Sequence, residues 1–101
     1  MVIRALDYVP RCYSAAEGFI IANILRKSLS TDEHVSLSFE RVSDVPSTFV
    51  NSAIVSLLAD YSEDWIKSHL SIVDVNTQIA TMVQRCLANG ITQKKEGRLF
   101  K

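Results

Sequence analysis

The chain has 101 residues, 48 % of them hydrophobic and 22 % charged, which suits one globular domain with one core and excludes a disordered chain. Eleven basic and eleven acidic side chains cancel, so no global field draws the molecule to nucleic acid or to an anionic membrane. Two cysteines are too few for a disulfide-stapled secreted domain, no apolar run is long enough to span a membrane, and MVIRALDYVP lacks the apolar core of a signal peptide, so a cytoplasmic location is expected.

Val2 to Val9 mixes Val, Ile, Leu and Tyr and stops at Pro10, which predicts a first strand. Ser14 stands three residues before Glu17, the spacing of a capping box, so a helix should begin there. Phe19, Ile20, Ile24, Leu25 and Leu29 recur at helical intervals and predict its buried stripe, while Gly18 weakens its first turn. After a polar break, His34 to Glu40 alternates: Val35, Leu37 and Phe39 share one face, and Ser36, Ser38 and Glu40 share the other.

A turn over Asp44 to Thr48 leads into a second helix with a stripe of Phe49, Val50, Ala53, Ile54, Leu57, Leu58 and Tyr61. Ser62 to Asp64 closes or extends it, and Trp65 anchors the connection. His69 to Val75 predicts the third strand. Asp74 or Asn76 caps the next helix, whose stripe is Ile79, Met82, Val83, Cys86 and Leu87. Asn89-Gly90 predicts its C-terminal stop, and a short extra strand could follow in Ile91 to Lys94 or in Arg98 to Phe100.

The order β, α, β, α, β, α predicts an α/β fold. One small domain over residues 1–93 would hold a mainly parallel or mixed sheet of three to five strands and about three helices, joined by right-handed crossovers. Lys94, Lys95, Arg98 and Lys101 make residues 94–101 a basic tail. An edge strand such as Val2 to Val9 could pair across a homodimer.

Most specific chemistries find no pattern here. The three glycines are scattered, so there is no phosphate-cradling loop. Cys12, Cys86, His34 and His69 do not stand at metal-ligand spacings. Ser47, His69 and Asp74 supply the residue types of a nucleophile triad, but their spacing gives no reason to converge. Asp60, Glu63 and Asp64 gather at one helix end as a solvated face. Exposed aromatics among basic residues, the platform for single-stranded nucleic acid, are missing. Neither an enzyme, a metal nor a cofactor is expected, and nucleic acid is not an expected partner.

The exception is the turn before the second helix. Ser47 and Thr48 sit at its expected N-terminus, where unpaired N–H groups and the positive dipole end favour an anion or a phosphorylated hydroxyl. The plainer role for Ser47 is a helix cap that accepts from the Val50 N–H, worth about 1 kcal/mol, and Asp44 would serve if the helix starts earlier.

The run VSLSFERVSDVPSTFVNSAIVSLL, then LSIVDVN and the helix TQIATMVQRCLANG, resembles the STAS-like domains, small bacterial and phage-encoded proteins of unassigned function. These resemble in turn the STAS domains of anti-sigma-factor antagonists. The likeness covers roughly residues 14–90 and rests on element order and a few positions. In the antagonists, a serine or threonine at the start of the second helix is phosphorylated by a histidine-kinase-like ATPase that also sequesters a sigma factor. Unmodified antagonist binds that ATPase, and the phosphate breaks the contact. Ser47 falls at that position, with Thr48 beside it. Pro46 stands where the antagonists have an aspartate, and Phe49 where they have a glycine; STAS-like relatives often carry the Phe. The resemblance implies a non-enzymatic regulatory module whose partner surface is Asp44, Pro46, Ser47, Thr48, Val50 and Asn51. A nucleotide or small anion bound at the same helix N-terminus is the alternative, as is a phage-type inhibitor of a host protein.

Overall fold

Three short strands rich in Val, Ile and Leu form the sheet. The computed structural model describes residues 1–31 and 33–95. In it, β1 (Val2–Arg4), β2 (Val35–Ser38) and β3 (Leu70–Val73) lie side by side in that order, all parallel. Ile3 pairs with Leu37, and Leu37 with Ile72; Val35 pairs with Leu70. Four helices complete the single α/β domain: α1 (Ala15–Leu29), α2 (Ser47–Ala53), α3 (Glu63–His69) and α4 (Thr77–Lys95). Strand order and parallel direction agree with the expected fold class.

Because side chains alternate along a strand, Ile3, Val35, Leu37, Leu70 and Ile72 share one face of the sheet, which meets the core. Two right-handed crossovers that step the same way along a sheet place their helices on the same side. Accordingly α1 packs on α2, α2 packs on α4, and all three cover that face.

Several boundaries differ from the sequence expectation, each for a local reason. The first strand stops at Arg4 rather than Val9. Ala5–Asp7 winds into a 3-10 turn, where the Tyr8 and Val9 N–H groups both donate to the Ala5 carbonyl at 3.1 Å. Ala5, Val9 and Cys12 are buried by that winding. The α1 stripe is rotated: Phe19 and Ile20 are 50 % and 46 % exposed, and Gly18, Ile21, Ala22, Leu25 and Leu29 face inward. Gly18 sets that rotation. A Cβ there would lie 2.6 Å from the Ser52 Cβ and 2.7 Å from the Phe49 carbonyl oxygen, so α1 and α2 meet backbone to backbone at this point.

The second helix is broken in two. It ends at Ala53, and Val55–Ala59 continues as a 3-10 turn. Arg26 of α1 donates from Nη2 to the Ser56 carbonyl at 3.0 Å and from Nε to Asp60 at 2.8 Å. The Asp60 N–H, which an α-helix would send to Ser56, goes to Leu57 instead. A separate helix, α3, then starts at a Ser62 cap, whose Oγ accepts from the Trp65 N–H at 3.2 Å. His69 ends that helix rather than opening β3.

The last helix runs past Asn89-Gly90 to Lys95. Gly90 serves contact rather than termination: a Cβ there would collide with Val55 Cγ1. Residues 91–94 are therefore helical, and the expected start of the tail at Lys94 falls in the last turn of α4. The strand expected in Arg98 to Phe100 lies outside the described residues.

Candidate functional site

The turn between β2 and α2 is held from several sides. The Phe39 N–H donates to the Val73 carbonyl at 3.1 Å, which extends the sheet contact one residue past β2. The Ser38 hydroxyl donates to the Asp74 carboxylate. The first residues of α4 then grip the turn. Asn76 Nδ2 donates to the Ser43 carbonyl at 2.7 Å. Gln78 both accepts from the Val45 N–H and donates to the Val45 carbonyl, each at 3.0 Å. Asn76 also caps α4, its Oδ1 accepting from the Ile79 N–H at 2.9 Å. One short amide side chain thus starts α4 and ties it to the turn before α2.

Pro46 is the N-cap of α2, with extended backbone, and its carbonyl accepts from the Val50 N–H at 3.3 Å. No side chain caps this helix, which corrects the cap assigned to Ser47 and the substitute assigned to Asp44. Proline suits the site because it has no N–H to lose and its fixed φ falls in the extended range. Ser47 is therefore the first helical residue, and its hydroxyl makes no hydrogen bond among the described residues.

Of the six expected surface residues, Asp44, Ser47, Thr48 and Asn51 are exposed and Pro46 is half-buried. Val50 is fully buried in the core and cannot contact a partner. It follows Phe49 on the inward side of α2, where Phe49 meets Phe39 edge to face with ring centroids 6.3 Å apart. Ser47 and the adjacent Thr48 each lie one turn from Asn51 on the outward side.

Ser47 and Asn51 also form one wall of a groove of about 590 Å³. The opposite wall comes from α4: Met82, Arg85, Cys86 and Asn89, with Ala88 between. Arg85 and Asn89 were not expected; their i, i+4 spacing on the outward side of α4 was the available signal. The Arg85 side chain makes no hydrogen bond or ion pair among the described residues. Burial holds the Cys86 thiol above its ordinary pKa, against the opposing pull of Arg85, so it stays protonated at neutral pH.

The remaining candidates are engaged separately. His34 Nε2 lies 2.9 Å from Ser71 Oγ, and its Nδ1 is 3.3 Å from the Ser68 carbonyl. His69 stacks on Trp65 at 3.9 Å between centroids, and Trp65 stacks on Tyr61 at 4.2 Å. Asp74 receives Ser38. The residue types Ser47, His69 and Asp74 are not brought together. Among the described residues there is no group of three or more His, Cys, Asp or Glu side chains that could hold a metal ion, and no helix is long and apolar enough to cross a membrane.

The chain matches no curated protein and no solved structure. A family model described as a STAS-like domain of unknown function (DUF4325) matches residues 20–80. Those residues run from α1 through the α2 turn into the start of α4, the part that builds the turn and the Ser47–Asn51 wall of the groove but not its α4 wall, and the chain belongs to that STAS-like family.

Proposed function

We propose that this protein is a non-enzymatic regulatory module that docks another protein through the outward side of α2 and the α2–α4 groove. The partner class is a histidine-kinase-like ATPase, and phosphorylation of Ser47 or Thr48 releases it. One observation carries the reading: two adjacent hydroxyls stand exposed on the first turn of a helix whose approach is pinned by Asn76 and Gln78. A kinase needs a reachable hydroxyl, and a docking surface needs a backbone that does not rearrange on contact. A phosphate at Ser47 would bring nearly two negative charges and three acceptor oxygens to the mouth of the groove. A partner that fits the bare hydroxyls would lose its contact there.

The test uses a purified ATPase of this class encoded beside the gene. Binding is measured by calorimetry for wild type, Ser47→Ala, Ser47→Asp and a Ser47→Asp/Thr48→Asp double variant, and modification is measured by intact mass after incubation with ATP. The reading expects tight binding by wild type and Ser47→Ala, at least tenfold weaker binding by the aspartate variants, and one added phosphate that Ser47→Ala/Thr48→Ala abolishes. Equal binding by all variants would remove the switch. No binding by any of them would remove this partner class.

A further inference from the structure

A second cleft, of about 210 Å³, opens where the chain leaves β1 and β2. Leu6, Pro10 and Val42 give its lining apolar surface, and Arg11 and Arg41 reach it from two different loops. We propose that this cleft binds a small anion, a carboxylate or a phosphate, held between the Arg11 and Arg41 guanidinium groups. The site goes beyond the docking surface on α2 and does not use Ser47.

Position is the first argument. Open α/β sheets bind ligands outside the carboxyl ends of their strands, and although the order β1-β2-β3 has no reversal to open a crevice, both loops of this cleft leave that end. Arg11 follows β1 and its 3-10 turn; Arg41 follows β2 by three residues. Charge is the second. The Arg41 side chain makes no hydrogen bond or ion pair among the described residues. Its backbone adopts φ 68°, a left-handed conformation uncommon for a residue other than glycine.

Arg11 has one weak tether, 3.7 Å from its Nε to Glu17 Oε2, and its side chain is 73 % exposed. The Glu17 carboxylate is already committed to the N–H groups of Tyr13 and Ser14. Two arginines therefore line one cleft with nearly their full donor capacity unspent, and guanidinium forks bind planar or tetrahedral oxyanions through paired hydrogen bonds. The Tyr13 and Ser43 side chains line the same cleft and add hydroxyls. Its volume lies below the range of sites for drug-sized molecules, about 300–1,000 Å³, so the ligand is small.

Asp44 is the one carboxylate lining the cleft. It has no side-chain partner among the described residues, so it opposes an anion and gives the test a second sign. Amide NMR titrations with sodium phosphate and, separately, sodium succinate are run at constant ionic strength set by sodium chloride. The proteins are wild type, Arg41→Gln, Arg11→Gln/Arg41→Gln and Asp44→Asn; the spectra also report whether each variant is folded. The proposal expects saturable shifts at residues 11–13 and 41–44 with one or both anions. Affinity should fall at least tenfold in the double arginine variant and rise in Asp44→Asn. The better of the two salts identifies the anion class. Shifts that track chloride, an undiminished affinity in the double arginine variant, weaker binding by Asp44→Asn, or shifts confined to residues 47–49 would each overturn it.

Discussion

At the scale of single residues, Glu17 carries several bonds at the start of α1. Its carboxylate accepts from the Ser14 N–H at 2.9 Å, the Tyr13 N–H at 3.1 Å and the Ser14 hydroxyl, while Ser14 Oγ accepts from the Glu17 N–H at 3.1 Å. The Ser14 N–H does most to hold its carboxyl below the ordinary carboxylate range, ahead of the Tyr13 N–H, the Ser14 hydroxyl and Arg11. A depressed folded pKa contributes stability that is present above the ordinary value and is lost as pH falls through the folded one. Glu17→Gln can still accept from the Ser14 N–H but does not titrate. Its melting temperature should therefore fall less than that of the wild type between pH 6 and pH 3, read by circular dichroism. Ser14→Ala removes the other half of the box and should cost about 1 kcal/mol. Cys12 shows the opposite sign. Burial first, then the nearby Glu17 charge, pushes its thiol up to about 11. Its share of stability is present below the ordinary thiol value and is lost as pH rises from there towards 11. Iodoacetamide at pH 8 should label Cys12 slowly in the folded protein and fully in urea; equal rates in the two would mean an open thiol.

At the scale of elements, the close approach of α1 and α2 at Gly18 makes a quantitative demand. Alanine there gains about 1 kcal/mol of helix propensity but drives a methyl group into the Phe49 carbonyl and the Ser52 side chain. Overpacking of this kind costs about 1–3 kcal/mol, and the backbone atom on the other side cannot move without shifting α2. Gly18→Ala should be net destabilising in urea unfolding. Gly90→Ala meets mainly the ends of Val55 and Leu58, which can change rotamer, so its loss should be smaller; a reversal of that order would mean that α1 and α2 are not locked at Gly18. The same contact explains what was legible beforehand. Strand alternation in Val35 to Phe39 and the Ser14 box are local patterns, and both were readable. The rotation of α1 depends on residues about 34 positions away, so Phe19 and Ile20 read as buried when they are not. The loss of the α-helical bond at Asp60 goes with Arg26 occupying the Ser56 carbonyl, 30 positions distant. At the candidate site, Ser47, Thr48 and Asn51 are exposed as their place in the expected surface required, whereas Val50, read both into that surface and into the apolar stripe, is buried with Phe49. The grip of Gln78 on Val45 was not, because nothing in either segment's own pattern marks a contact across 33 residues.

At the scale of the whole molecule, α1, α2 and α4 gather on one side of the sheet. Parallel sheets are ordinarily covered on both faces and read as continuous apolar runs. Here β2 alternates, and the face away from the helices presents Val2, Arg4, Ser36, Ser38, Ser71 and Val73. Val2 and Arg4 are exposed and Ser36, Ser71 and Val73 are half-buried, so among the described residues no element covers this face. Ser38 is the exception, tucked beneath Glu40 and Asp74, where its hydroxyl accepts from the Glu40 N–H at 3.2 Å and donates to Asp74. Serine makes such a face tolerable: it is small, it carries a group that water can satisfy, and His34 lies against Ser71. Its charge gathers at one end, where Arg4 pairs with Glu40 at 2.9 Å and Asp74 receives Ser38. A few hydroxyls, instead of a second layer of helices, thus make up the middle of this face. Ser36→Val/Ser71→Val leaves the buried core residues unchanged and adds a contiguous apolar strip between Val2 and Val73. The variant should keep the wild-type far-ultraviolet spectrum, yet its weight-average mass in light scattering should climb with concentration more steeply than that of the wild type. Identical mass curves would show that this face is already covered.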